Sequence, residues 1–198
     1  MAEQLANDAA PGAPTKAGSF GWIPWTAYIV LALMGYWRWA LLAGAIAMAV
    51  IVAIEYRHRA VKIPDATALG FFAGMLLVSM AIGTSLISGY SVMIVWATFG
   101  IVFWTTIAIG FPFTLQFARE LSPPPIWHEP IFIRTNYQIS LLWALIATVN
   151  TILGFAMHIS AHPLIVGILL PTLLLVFGFV AGGWYAKHVA AQFPQAAG

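Results

Sequence analysis

The sequence predicts an all-α protein, a polytopic transmembrane helical bundle of five to six membrane helices. The first observation behind this is charge distribution: no Asp, Glu, Lys or Arg occurs from Ala66 to Ala118, nor from Thr135 to Ala186. Such apolar stretches far exceed a buried soluble helix, and hydrocarbon is the solvent that makes sense of them. Composition is the second. Of 198 residues, 62% are hydrophobic and only 7% charged, against about a quarter charged in soluble domains. The mean hydropathy is +0.91. Thirdly, a polypeptide in lipid must satisfy its own backbone N–H and C=O groups, which a bundle of helices does internally.

The same composition narrows the chemistry. With no cysteine, disulfides, thiolate metal sites and thiol catalysis are excluded. A formal charge of +2 with no basic patch does not point to nucleic acid; a small Lys/Arg excess is what cytoplasmic loops of a membrane protein carry. The lipid bilayer is the expected partner, and no cofactor is expected.

Residues 1–20, rich in Ala, Pro and Gly, read as a disordered tail. Glu3 and Asp8 argue against a signal peptide. Residues 21–190 read as one transmembrane helical domain and 191–198 as a short tail. The first apolar region is interrupted: Trp22–Met34, then Gly35-Tyr36-Trp37-Arg38-Trp39, then Ala40–Ile54. About 13 residues reach about 20 Å as a helix, short of a core of about 30 Å. A turn at Gly35 is expected, with Tyr36, Trp37 and Trp39 forming an interfacial aromatic belt around Arg38. Ala66–Ile87 predicts the next span, Ser88–Ser91 a tight connection, and Val92–Phe117 another span kinked by Pro112. After a polar loop, Ala118–Tyr137, come Ile139–Met157 and Leu164–Tyr185, joined by His158–Pro163.

Basic residues set the expected orientation. Arg57, Arg59 and Lys62 share one loop, Arg119 and Arg134 another, and Lys187 follows the last span, whereas the connections at 88–91 and 158–163 have no Lys or Arg. With Lys16 this alternation predicts six helices and both termini cytoplasmic. Gly70-x-x-x-Gly74 and Gly178-x-x-x-Gly182 let helices approach closely. They are expected chiefly to pack the bundle and are also candidate faces for homo- or hetero-oligomerisation.

Intramembrane carboxylates, the usual ion carriers of coupled transporters, are not part of the pattern: Glu3, Asp8, Glu55, Asp65, Glu120 and Glu129 fall in the tail, at helix ends or in loops. Neutral polar residues at depth, Thr84, Thr105 and Asn150 among them, are candidates for a polar path or pocket, or for helix-to-helix hydrogen bonds. Asn150 leads because a buried amide needs several partners. His158 and His162, at i and i+4, have the spacing of two metal ligands on one helix face, but no third ligand stands on their side. No metal site is therefore expected.

The densest chemistry lies in the loop and its flanks. Arg119 is able to bind a phosphate or carboxylate head group, with Glu120 and Glu129 to orient it or act as bases. Trp127, His128, Arg134 and Asn136 complete this candidate binding set. Anchoring of the loop to anionic lipid is the alternative for the same arginines.

The run Pro112-Phe113-Thr114-Leu115-Gln116-Phe117-Ala118-Arg119-Glu120, the following proline-containing loop, Trp127, Pro130-x-Phe132 and Asn136 resemble a family of small bacterial multi-helix integral membrane proteins of no assigned activity. The resemblance covers about a third of the chain and implies a bacterial cytoplasmic membrane. Three functions follow as expectations, in order: small-molecule transport or ligand binding without a carboxylate relay; a structural or assembly subunit of a membrane complex; and an enzyme modifying lipid head groups.

Overall fold

In a computed structural model, residues 21–58 and 61–192 are described; the 1–20 tail, Lys16, Arg59 and residues 193–198 lie outside them. The described residues form helices α1 (Trp22–Leu33), α2 (Trp37–Arg57), α3 (Ile63–Ile82), α4 (Ser85–Ala108), α5 (Thr114–Glu120), α6 (Pro130–Ala156) and α7 (Leu170–Gln192). A 3₁₀ turn, Pro124–His128, precedes α6, and a π-helical turn, Ile165–Leu169, leads into α7. No strand occurs among the described residues. Five helices are long and apolar enough to cross a membrane. The chain is a multi-pass membrane protein.

Glycine decides where α1, α3 and α4 stop. At Gly35, φ is +84°, a conformation that costs an L-residue about 1–2 kcal/mol. Its N–H donates to Ala32 O (2.9 Å) and that of Tyr36 to Leu31 O (2.9 Å). This paired closure satisfies the orphan carbonyls of α1. The expected turn is therefore present, and α1 is a separate 12-residue helix, about 18 Å long at 1.5 Å per residue.

Two expected boundaries move. Helix α3 stops at Gly83 (φ +86°), not at Ser88, and Ser88–Ser91 lies inside α4, where Tyr90 alone leaves helical geometry. The span expected over Val92–Phe117 breaks at Gly110 (φ +82°) instead of bending at Pro112. There Gly110 N–H donates to Ile107 O (3.1 Å) and Phe111 N–H to Thr106 O (2.9 Å), the same closure as at Gly35. A left-handed glycine ends a helix outright, so Pro112 falls in the link to α5.

The chain forms two compact units, Met1–Ser88 and Gly89–Gly198. In the first, Trp25, Tyr28, Phe71 and Phe72 interlock α1 with α3, with ring centroids 4.7 Å apart for Trp25 and Phe72. Gly44 admits the Phe72 ring to α2: a Cβ there would lie 2.6 Å from it. Arg38 at the start of α2 donates from Nη2 to Ser79 O (3.2 Å), a carbonyl that also accepts from Gly83 N–H. The interfacial arginine thus caps the end of α3, where a cation complements the helix dipole.

The opposite end of α2 and α3 holds a buried ion pair. Glu55 is 0% and Lys62 1% exposed, with Lys62 Nζ 3.0 Å from Glu55 Oε1 and Lys62 N–H donating to Oε2 (3.2 Å). Lys62 is the N-cap residue of α3. One side chain on α2 therefore clamps both the charge and the backbone at the start of the next helix.

In the second unit α4 packs on α6 through small residues. A Cβ on Gly154 would meet Met93 N at 2.6 Å, and one on Gly100 would meet Ala147 Cβ at 3.6 Å. Phe103 and Phe113 stack at 4.1 Å beside Ala144 and Ala147 to form its core. Trp104 Nε1–H donates to Thr148 Oγ1 (3.0 Å). Helix α7 lies antiparallel to α6: Gly178 faces Ile146 and Trp143, and Gly182 faces Ile139.

Because a buried charge stripped of its partner costs about 3–5 kcal/mol, Glu55→Ala or Lys62→Ala is expected to lower the thermal midpoint in detergent sharply. Glu55→Leu combined with Lys62→Met is expected to recover most of that loss, which differential scanning fluorimetry of the three proteins will read.

Candidate functional site

Of the polar residues expected at depth, Thr105 bonds within its own helix. Thr105 is exposed and donates to Ile101 O (2.7 Å). Thr98 and Thr106 likewise donate to Ile94 O and Phe103 O, and Thr151 to Ala147 O. A hydroxyl in hydrocarbon finds its nearest acceptor three or four residues back on its own helix. Thr84 stands at the Gly83 break, where its carbonyl accepts from Ser88 N–H (2.8 Å). Asn150 alone remains. It is 0% exposed on the α6 face that carries Ala147 and Gly154, and neither Oδ1 nor Nδ2 has a hydrogen-bond partner among the described residues.

The histidines take separate places. The His158 ring packs on Tyr90 with centroids 4.4 Å apart, and exposed His162 follows Ser160, whose Oγ accepts its backbone N–H (3.0 Å). His188 stacks on Trp184 (5.1 Å, 11°). No group of three His, Cys, Asp or Glu side chains able to hold a metal occurs among the described residues.

Around α5 the side chains do converge. The Gly110 turn sets Phe111 and Pro112 ahead of the helix, and the stack of Phe113 on Phe103 holds its start against the core. Thr114 then fastens it to α6: its Oγ1–H donates to Asn136 O (2.8 Å), and its Oγ1 lies 2.8 Å from Ser140 Oγ. The last turn of this anchored helix carries Arg119.

The Arg119 guanidinium carbon lies 5.6 Å from the Phe111 ring centroid and 5.8 Å from that of Trp127. Contacts of this length with the electron-rich face are favourable for a cation. Trp127 is itself held, since its Nε1–H donates to Ser122 O (3.0 Å). Arg119 Nε is buried with no hydrogen-bond partner among the described residues. The result is a permanent cation steadied by two rings, with unspent donor capacity.

Of the expected binding set, the structure brings together Arg119 and Trp127 and adds Phe111, which sequence reasoning did not single out. Its signal was its place directly after Gly110 and before Pro112. Asn136 belongs to the scaffold: Nδ2 donates to Phe132 O (2.9 Å) and its carbonyl accepts from Thr114. Glu120 is half-buried at the end of α5, whereas His128, Glu129 and Arg134 are exposed on the 3₁₀ turn and at the start of α6. Sequence reasoning also missed the Glu55–Lys62 pair. Seven residues separate the two across a helix end, and only the fold shows that they meet.

Comparison with protein families, with curated proteins and with solved structures yields no match. The site is therefore interpreted from its own chemistry.

An unpartnered amide in an apolar interior carries a desolvation cost of about 1–3 kcal/mol. Asn150→Leu, close in volume and without polar atoms, is accordingly expected to raise the thermal midpoint in detergent. A fall instead would show that the amide holds a polar partner in the membrane.

Proposed function

We propose that this protein is a bacterial cytoplasmic-membrane bundle that binds an oxyanion, phosphate or carboxylate, at Arg119. The observation that carries this reading is the guanidinium held between Phe111 and Trp127 with Nε buried and unpartnered. Partial burial strengthens its pull on an anion, and a guanidinium matches a carboxylate or phosphate with parallel N–H donors. The ligand-binding reading thus moves from the middle of the membrane to its rim. Passage of a solute through the bundle is not part of this reading, in which the deep threonine hydroxyls donate to carbonyls of their own helices.

The resemblance of the Pro112–Asn136 region to small bacterial membrane proteins supports the bacterial setting. The basic residues support the orientation: Arg57, Arg119, Arg134 and Lys187 stand on one side by the alternation of spans, while the links at Gly83–Thr84 and Met157–Leu164 carry none. On this reading Arg119 belongs to the cytoplasmic rim. Lys62 adds little to that bias because Glu55 neutralises it.

The test uses the full chain in neutral phosphatidylcholine nanodiscs, titrated by calorimetry with inorganic phosphate, acetate and dihexanoyl phosphatidylglycerol. Binding of phosphate and acetate is expected to be lost in Arg119→Ala and weakened about tenfold in Trp127→Ala, the latter matching about 1.4 kcal/mol at the standard conversion. Equal affinity in wild type and Arg119→Ala would overturn the proposal. Preference for the lipid over phosphate would identify a head group as the ligand.

A second reading, assembly with another copy or another membrane protein, is favoured by one observation. Cβ atoms added to Gly70 and Gly74 on α3 would meet nothing within 4 Å, whereas Gly178 is already covered by α6 of the same chain. If α3 is an association face, Gly70→Leu with Gly74→Leu will shift the mass measured by light scattering in mild detergent toward monomer. An unchanged mass would remove this reading.

A further inference from the structure

Antiparallel α6 and α7 leave an open, mainly apolar groove of about 320 Å³ between them, lined by Ile139, Leu142, Ala181, Gly182 and Trp184. At one end Tyr185 O–H donates to Gln138 Oε1 and ties the two helices together. The groove belongs to neither the Arg119 site nor the packing that builds the core. Its depth comes from Gly182, where the missing side chain leaves Ile139 as the floor. Both helices are membrane-spanning by length and composition, so the fluid around the groove is acyl chain.

What distinguishes it from any furrow between two helices is the charge at one end. Arg134 precedes Gln138 by four residues and lies on the same face of α6, about 6 Å nearer the helix start. Lys187 follows Tyr185 by two residues, about 3 Å further along α7, and stands three residues from Trp184, on its side of the helix. Because α6 and α7 are antiparallel, as the Gly178–Ile146 and Gly182–Ile139 contacts require, these two displacements point the same way. Arg134 and Lys187, both exposed, therefore flank the Gln138–Tyr185 end together. No acidic residue occurs from Thr135 to Ala186, and Glu129, five residues before Arg134, is not among its i, i+3 or i, i+4 neighbours.

We infer that this groove is a binding site for one anionic phospholipid, with an acyl chain along Leu142, Ala181 and Gly182 and a phosphate-bearing head group between Arg134 and Lys187. An apolar trough below two cations at the membrane surface matches an amphiphile with a negative head, because each half of the molecule meets its own chemistry. Trp184, exposed beside the groove and stacked on His188, supplies an indole, the side chain that prefers the boundary between chain and head group. The Gln138–Tyr185 pair presents polar atoms where the glycerol-ester region would lie. The site does not depend on Arg119, so its test is run throughout in an Arg119→Ala background, with the groove residues of that background taken as wild type, and lipid held at Arg119 does not contribute.

Full-length protein in mild detergent is to be incubated with equimolar phosphatidylglycerol and phosphatidylcholine, and retained lipid counted by native mass spectrometry. Wild type is expected to retain phosphatidylglycerol at least fivefold over phosphatidylcholine. Arg134→Gln with Lys187→Gln is expected to bring the two lipids to parity, and Gly182→Leu to lower retention of both by filling the trough. Gly182→Ala, whose Cβ would lie 3.5 Å from Ile139, an ordinary contact, provides a milder filling that leaves folding intact, with an intermediate loss expected. Equal retention of the two lipids by wild type, preserved selectivity in the double charge variant, or undiminished retention in both Gly182 variants would each overturn the inference.

Discussion

Every turn of this chain answers to one constraint: in hydrocarbon no water is at hand to complete a hydrogen bond. Helices meet that demand along their length, and the difficulty concentrates at their ends. The solutions are local and recur. Gly35 and Gly110 adopt left-handed conformations that fold two N–H groups back onto the carbonyls of the preceding turn. Where Gly83 ends α3, Arg38 reaches across from α2 to the carbonyl of Ser79. Threonines along α4 and α6 spend their hydroxyls one turn back on their own helices. This economy occupies, within single helices, hydroxyls that look like a polar path in the sequence.

The same constraint gives the exceptions their meaning. Asn150 and the Nε of Arg119 are buried polar groups without partners among the described residues, yet their settings differ. Asn150 lies on the face of α6 that carries Ala147 and Gly154, both of which pack against α4. Arg119 stands at the end of a short helix beside a loop, flanked by rings that stabilise a cation without using up its donors. One is an amide enclosed in the bundle; the other is a cation between helix end and loop with donor capacity left over.

The motif from Pro112 to Asn136 is a mechanical unit as much as a chemical one. Phe113 stacks into the core and Thr114 bonds α6, while Asn136 supplies the carbonyl that Thr114 uses. Together they hold α5 so that Arg119 meets Trp127. Several residues that seem to form one binding set therefore divide into those that hold the helix and those that surround the Arg119 guanidinium. His128, Glu129 and Arg134, exposed, belong to neither group. Arg134 instead contributes to the end of the α6–α7 groove.

Sequence by itself determined the solvent, the fold class and the approximate number of spans, because the free energy of placing charge in lipid is written in composition and in charge-free length. It also revealed the Gly35 turn, where an aromatic belt and an arginine coincide with a glycine. It misplaced the breaks at Gly83 and Gly110, since in a uniformly apolar run a glycine that packs and a glycine that terminates read alike. Only the tertiary structure decided that Glu55 meets Lys62, that Phe111 and Trp127 enclose Arg119, and that α6 and α7 leave a groove ending near two cations. Each of those facts joins side chains across a turn or between helices, and helix periodicity carries no record of the rotation and depth at which two helices meet.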